Sequence, residues 1–214
     1  MREGTVLVTG ATGAVGPSVV RACQEAGYSV RTLSVDGPGA AVMPPGVDVH
    51  VGDVCDDRAV RNAVAGADIV IHLAALLHQF GKSAMLEPQY ERINVGGTEN
   101  VASAAAAEGV RRVVFFSTIA VYGPSSGQLI DEKTPPHPDT TYGQTKLAAE
   151  QAVLSASSGG RPIGTVLRAA AAYGPRVGGD IRGRGFAARP LRAIFAPGPH
   201  NGDLPIGPDM QCGG

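Results

Sequence analysis

The chain has 214 residues, 43% of them hydrophobic and 17% charged, with 18 Lys and Arg against 19 Asp and Glu. That length suits one large domain with a real core, which excludes global disorder, and a formal net charge of −1 offers no basic footprint for nucleic acid. Three cysteines (Cys23, Cys55 and Cys212) with no C-x-x-C spacing argue against a disulfide framework and against a zinc site, so no metal is expected.

Apolar runs then alternate with helix-like segments. The N-terminus enters the first run, Thr5–Thr9, without the cationic and long apolar regions of a signal peptide. TVLVT is a short β-branched strand of the kind that is covered on both faces. Helix-spaced apolar and small residues follow at Val15–Ala26, with Gly27 as the stop. Strands are predicted at Ser29–Val35 and Val47–Val51, a helix at Asp57–Ala65 and a strand at Asp68–Leu73. A long helix is predicted over Pro88–Ala107, a strand at Val110–Ser117, a helix at Thr141–Ala156 and a last strand at Ile163–Ala169. Strands separated by helices imply βαβ units, hence an α/β fold with a doubly wound parallel sheet and right-handed crossovers. The longest apolar stretch, Ile69 to Leu77, contains His72 and falls far short of the roughly 20 residues that span a bilayer. A soluble cytoplasmic protein with no membrane partner is the expectation.

Composition changes after Gly174. Ten Gly and six Pro among the last 41 residues are too many for a regular sheet layer, and the one short helix, Phe186–Phe195, is interrupted by Pro190. The expected division is a main α/β domain over residues 1–173 and the start of a small, incomplete second lobe over 174–214.

Three clusters carry chemistry. Gly10-Ala-Thr12-Gly13-Ala14-Val15-Gly16 lies between the first strand and the first helix. Its glycines allow a tight turn, backbone approach to a pyrophosphate and close helix packing, while the helix start presents N–H groups to the phosphates. Other turns at strand ends extend this nucleotide site. Gly52-Asp53-Val54 offers Asp53 either to an adenine amino group or as a helix N-cap. His72-Leu73-Ala74-Ala75 ends the fourth strand in small residues. Ser34 stands where an acidic residue would hold the ribose hydroxyls of NAD, and Asp36 lies two residues later, so NAD versus NADP stays open.

The second cluster is Tyr142-Gly-Gln-Thr-Lys146, whose i,i+4 spacing puts phenol and ammonium on one helical face. A lysine there favours phenolate and moves the phenol toward the working range of a general acid/base. The third is Ser117-Thr118 at the end of the fifth strand, where the Thr118 hydroxyl either polarises a reacting oxygen or caps the turn.

TGATGAVG, GDV, HLAA, INVGGTEN, FSTIAVYGP, YGQTK and LRAAAAYGPR occur in order. Together they resemble the extended short-chain dehydrogenase/reductases, and within them the NAD-dependent epimerase/dehydratase group acting on nucleotide sugars, over roughly Thr5 to Arg176. The resemblance implies a Rossmann fold and an NAD cofactor, with NADP not excluded. It implies a catalytic set of Tyr142 as acid/base, Lys146 as its ribose-binding partner, Thr118 as the polarising hydroxyl and Asn94, the asparagine of the long helix. Gly10, Thr12, Gly13, Ala14, Val15, Gly16, Ser34, Asp53, Val54, Leu73, Ala74, Ala75 and Lys146 are the implied cofactor contacts. The implied activity is reversible hydride transfer at a sugar carbinol through a keto intermediate, as in a UDP-glucose 4-epimerase. The runner-up is net oxidation or reduction of a secondary alcohol or ketone, including sterols; a third reading is a non-catalytic dinucleotide-binding fragment. A homodimer through the long helices is also implied. Ile119-Ala120 stands where dehydratases carry an acidic pair, which disfavours loss of water. Family members continue beyond the Pro205-Ile206-Gly207 element, so a truncated and weakly active chain is expected.

Overall fold

A computed structural model describes residues 4–37, 43–77, 83–124 and 129–170; the side chains of residues 83–85 are not among those described. Strand β1 (Thr5–Thr9) leads into α1 (Gly16–Glu25), β2 (Ser29–Ser34), β3 (Asp48–Val51), α2 (Asp57–Val64) and β4 (Ile69–His72). Next come α3 (Ser83–Tyr90), a π-helical turn (Glu91–Gly96), α4 (Gly97–Ala107), β5 (Arg112–Thr118) and a 3₁₀ turn (Ile119–Tyr122). Helix α5 (Thr141–Ser155), the two-residue strands β6 (Ser157–Ser158) and β7 (Arg161–Pro162), and β8 (Gly164–Ala169) complete the described chain.

Six strands form one parallel sheet in the order β3-β2-β1-β4-β5-β8. The order reverses direction between β1 and β4. The carboxyl ends of these two strands therefore flank the crevice in which open α/β sheets bind ligands. Alternation along β1 divides the core: Leu7 faces the cluster built by α2, α4 and α5, while Val6 and Val8 face the cluster under α1. Val60, Val64, Val101, Ala105, Ala149 and Val153 fill the first side, and Val19, Val20 and Cys23 the second. Small aliphatic residues suffice because the helices lie close to the sheet. A Cβ added at Gly97 would lie 2.7 Å from Val54 Cγ2, so α4 could not sit where it does with any larger residue there.

The predicted doubly wound parallel sheet is the observed one, with element ends moved by one or two residues. The long helix differs more. It starts before Pro88, runs through that proline, and is interrupted by the π turn before α4 resumes. Pro88 favours a first helical turn, which is why the sequence reads as a start there, yet it also tolerates a helix interior at the cost of one backbone bond. The 3₁₀ turn and the β6–β7 hairpin were not expected. Residues 174–214, with the predicted helix Phe186–Phe195, lie outside the described residues.

Candidate active site

The site lies at the carboxyl edge of the sheet. Gly10 continues the ladder by donating to Leu33 O (2.8 Å), then turns with φ +68°, a conformation glycine adopts without steric cost. A Cβ on Gly10 would stand 2.6 Å from Ala74 N, so the turn and the chain after β4 touch backbone to backbone. A Cβ on Gly16 would run into the Ala11 carbonyl and lie 2.6 Å from Ala11 Cα. Gly13 differs: its Cβ would meet only Gly10 O, at 3.2 Å, and would otherwise occupy the open face of the turn. Val15, the N-cap of α1, contributes no side-chain cap and the first turn carries no acid. That leaves the positive end of the helix dipole available to an anion. This cradle fits a dinucleotide pyrophosphate.

Around it, Ser34 Oγ accepts from Thr12 N at 3.4 Å, and Asp36 Oδ2 accepts from Thr12 Oγ1 at 3.2 Å. Val54 is buried beside Gly97, and Leu73 donates its N–H to Thr9 O (3.1 Å) before the chain passes Ala74 and Ala75. Asp53 is not the N-cap of α2; that residue is Asp56, whose Oδ1 accepts from Arg58 N (2.9 Å) and Ala59 N. Asp53 instead accepts from Cys55 N (2.9 Å) and faces Arg92 at 3.8 Å. Arg31 points away from the crevice, onto Asp48 and the Ala63 and Ala65 carbonyls at the end of α2. Burial pushes the Cys55 thiol up to about 11, so it is no thiolate nucleophile.

The candidate reactive groups come from β5 and α5. Thr140 caps α5 by accepting from Gly143 N (3.1 Å), which fixes the first turn that carries Tyr142. Thr118 ends β5, and its Oγ1 accepts from Ala120 N (3.1 Å), capping the 3₁₀ turn. That bond uses the oxygen as acceptor only, so the hydroxyl retains its proton for a substrate oxygen. The capping and polarising readings of Thr118 are therefore compatible. Lys146 is almost wholly buried. Its Nζ donates to Phe116 O at 2.6 Å and stands 3.9 Å from the Phe115 ring centroid. Desolvation draws this ammonium down to about 7, with Glu150 opposing the shift. Tyr142 lies edge-on to Tyr90, with centroids 6.3 Å apart, and burial together with Tyr90 holds its phenol above the ordinary tyrosine range. The expected lowering of Tyr142 by Lys146 is thus not met in this arrangement. The ammonium donates to the Phe116 carbonyl, and burial together with Tyr90 sets the state of the phenol.

Asn94 sits in the π turn and is buried. Its Oδ1 accepts from Leu76 N (2.7 Å), and its Nδ2 donates to Leu76 O (3.2 Å) and Thr145 Oγ1 (3.4 Å). It pairs with the loop after β4 as a neighbouring strand would and ties that loop to α5. Sequence reasoning missed several supporting residues. Tyr90 donates to Leu77 O (3.0 Å). Thr98 donates to Asn94 O (2.6 Å) and lies 2.9 Å from His72 Nε2. Glu150 is buried against Ser117 and Arg168. The Tyr142/Lys146/Glu150 spacing of four residues along one helix was a readable signal for Glu150.

A model of the NAD dependent epimerase/dehydratase family matches residues 6–199. The chain belongs to this family. A UDP-glucose 4-epimerase of Streptomyces lividans is 37% identical over 155 residues, covering 71% of this chain and 47% of that protein. A 3 beta-hydroxysteroid dehydrogenase/Delta 5-->4-isomerase of Mycobacterium tuberculosis is 33% identical over 158 residues, covering 71% and 42%. Among solved structures, MoeE5 in complex with UDP-glucuronic acid and NAD superposes with a TM-score of 0.66 at 32% identity, covering 76% of this chain and 52% of that one. The chain spans about half the length of these epimerase/dehydratase relatives. Among the described residues, no group of His, Cys, Asp and Glu could hold a metal ion, and no helix is long and apolar enough to cross a membrane.

Proposed function

We propose that this chain carries the NAD site and the proton-transfer residues of a nucleotide-sugar epimerase-like oxidoreductase, with residues 1–173 as nucleotide-binding domain and 174–214 as the start of the substrate lobe. The observation that carries the reading is the convergence at one sheet edge of a side-chain-free glycine turn, the Thr118 hydroxyl, and a helix bearing Tyr142 and Lys146 one turn apart. NAD, when bound, supplies what no side chain has: it accepts a hydride from a carbinol carbon and returns it.

The chain's own residues handle the proton and the charge. As the carbinol carbon loses its hydride, the phenolate oxygen of Tyr142 removes the hydroxyl proton, and the alcohol becomes a ketone. Thr118 donates a hydrogen bond to that same oxygen and holds it in line. With NAD bound, Lys146 would hold the ribose hydroxyls, and its ammonium would add the positive charge that a buried phenolate requires. In an epimerase the ketone turns over before hydrogen is returned to its other face, so no net oxidation results. Water loss lacks an acid here, because Ile119 and Ala120 follow Thr118.

The similarity to a steroid dehydrogenase keeps a second reading: the same residues catalysing net oxidation of a secondary alcohol. A cytoplasmic setting and a homodimer through the long helices belong to the same proposal, the latter checked by sedimentation. The deciding experiment incubates full-length protein with UDP-glucose and follows UDP-galactose formation alongside NADH accumulation. Interconversion without NADH accumulation supports the epimerase, whereas steady NADH production with a sterol supports the second reading. Tyr142→Phe is expected to cut the rate by about 10²–10⁴-fold while leaving NAD affinity intact. Retention of the rate in that variant would remove the mechanism.

A further inference from the structure

Glu150 is, beside Lys146, the second titratable side chain that α5 buries, and the proton transfers above make no use of it. It is 1% exposed. Its carboxylate accepts from Ser117 Oγ at 2.5 Å and from the Arg168 fork, with Nη2 at 2.7 Å from Oε2 and Nε at 3.1 and 3.2 Å from the two oxygens. Arg168 reaches on: its Nη1 donates to the Tyr122 hydroxyl at 2.9 Å, and its guanidinium stacks 4.8 Å from that ring. Tyr122 in turn donates to Asp131 O at 3.0 Å. One carboxylate therefore joins three elements: α5, the end of β5, and β8. Its second ligand carries the connection into the chain beyond the 3₁₀ turn.

The placement matters because of sequence neighbours. Ser117 immediately precedes Thr118. Glu150 lies one helical turn past Lys146 and two past Tyr142, on the same face of α5. Any slide of α5 along the sheet would have to break the Ser117 bond or the Arg168 fork. A bidentate guanidinium–carboxylate pair resists that slide by direction as well as strength. A buried ion pair is weak evidence for added stability, so a role in registry accounts better for its presence here.

We propose that Glu150 and Arg168 are positioning residues for the hydride-transfer centre, holding the helix that bears Tyr142 and Lys146 in register with the strand end that bears Thr118. This rests on the reading of those three residues given above. Charge adds a second consequence. Lys146 is faced by Glu150 and Tyr142 from its own helix, by the Phe116 carbonyl and Phe115 ring from β5, and by the imidazole of His72 from β4. Arg168 reaches it only through Glu150. His72 is held neutral by burial, its proton affinity drawn down to about 3, so Glu150 is the one anionic side chain among these neighbours. Its field opposes the desolvation of the ammonium. Removing it, with Arg168⁺ left behind, drives Lys146 toward the neutral amine at lower pH.

The test uses full-length protein carrying Glu150→Gln, which keeps shape and loses charge, and Arg168→Lys, which keeps charge and loses the fork. Each is checked for folding by circular dichroism and thermal unfolding. The first readout needs no sugar substrate: NAD affinity is titrated across pH, and its loss on the alkaline side reports Lys146. In Glu150→Gln that midpoint is expected to fall by about one unit, while in Arg168→Lys it stays within a few tenths. The second readout is UDP-glucose/UDP-galactose interconversion, where both variants are expected to lose about 10²-fold in kcat with KM changed less than about threefold. A residue that only stabilises the fold would lower the melting temperature and leave the pH midpoint and the kcat of the folded fraction alone; that result overturns the proposal. If wild-type protein interconverts no sugar nucleotide, the epimerase reading fails by itself, and the NAD midpoint still decides the role of Glu150. Should Glu150→Gln not fold, the decision passes to Arg168→Lys, and unchanged kcat in that folded variant is then the overturning result.

Discussion

The glycine turn permits a separation of folding from binding. Gly10→Ala places an L-residue at φ +68°, which costs about 1–2 kcal/mol. It also drives a methyl to 2.6 Å from Ala74 N and 2.7 Å from Ala74 Cα. Both atoms are backbone and belong to the segment that Asn94 pins through Leu76, so relief requires a shift of that loop; overpacking of this kind adds about 1–3 kcal/mol. A total near about 3 kcal/mol lowers the melting temperature by roughly 6–12 °C for a domain of this size. Gly13→Ala brings a methyl against one atom only, Gly10 O at 3.2 Å, so its melting temperature should move by no more than about 2 °C. The same methyl occupies the open face of the turn over the α1 N-terminus, so NAD affinity is expected to fall at least about tenfold, a loss of about 1.4 kcal/mol. Thermal unfolding paired with calorimetric NAD titration reads both quantities. If Gly10→Ala melts with the wild type, or Gly13→Ala binds NAD as tightly as the wild type, the assignment of support to one glycine and ligand approach to the other is wrong.

Three further outcomes follow from individual residues. No Lys or Arg occurs from Val35 to Val47, and Asp36 lies against Thr12 at the lip of the turn, so a 2′-phosphate would meet a carboxylate with no Lys or Arg from that segment to offset it. NAD is expected to bind at least about tenfold more tightly than NADP in parallel titrations, and equal affinity would contradict this. Burial draws the Lys146 ammonium down to about 7 from its ordinary 10.5. Between those values the unfolded state holds the extra proton, so this group makes stability rise with pH. Lys146→Met should flatten that rise in chemical denaturation series run from pH 7 to 10, and an unchanged slope would show the ammonium to be better solvated than its burial indicates. Asn94→Ala leaves the Leu76 N–H and C=O without their partner, at a cost of about 2–4 kcal/mol. Hydrogen exchange at the Leu76 amide should accelerate with it; wild-type exchange would mean that the loop is held by other contacts.

Much of this was legible in the sequence. The alternation of β-branched runs with helix-spaced segments identified the sheet and its winding, because burial on both faces demands continuous apolar strands. Gly10, Gly13 and Gly16 were readable as a set with a tight turn, ligand approach and close packing as their roles, but not the atoms that enforce them, since only the packed fold shows that Ala74 crowds the first and Ala11 the third. The Tyr142/Lys146 pair was found by spacing. Its electrostatics were not, because helical spacing says nothing about the Phe116 carbonyl or about how deeply α5 buries its polar face. Glu150 illustrates the same limit: its spacing from Lys146 puts it on that helix face, but only the fold brings Arg168, on a strand reached 18 residues later, beside it. The π turn was hidden as well, since the residues from Glu91 to Gly96 carry no local mark of a widened helix and tertiary contacts select it.

Those contacts have a direction that the hydrogen bonds determine. Thr98 spends its hydroxyl proton on Asn94 O, so toward His72 its oxygen can only accept. His72 must therefore carry its proton on Nε2, and its Nδ1 must accept from the Thr9 hydroxyl at 2.6 Å. The Thr9 oxygen is left to accept from Ala74 N at 3.4 Å, in the segment that crowds Gly10. From the other end, Asn94 continues the chain to Thr145, which lies between Tyr142 and Lys146 and donates to the Thr141 and Tyr142 carbonyls. A buried imidazole held neutral far below physiological pH cannot act as a proton switch, so the chain from Thr9 to α5 is a fixed ruler. Its members are buried, and among the described residues no buried side-chain nitrogen or oxygen lacks a partner. A slip of one element would orphan polar atoms in the core at about 1–3 kcal/mol each. The distance between the glycine turn and the helix that bears Tyr142 is thus set in the interior of the sheet, by buried polar residues.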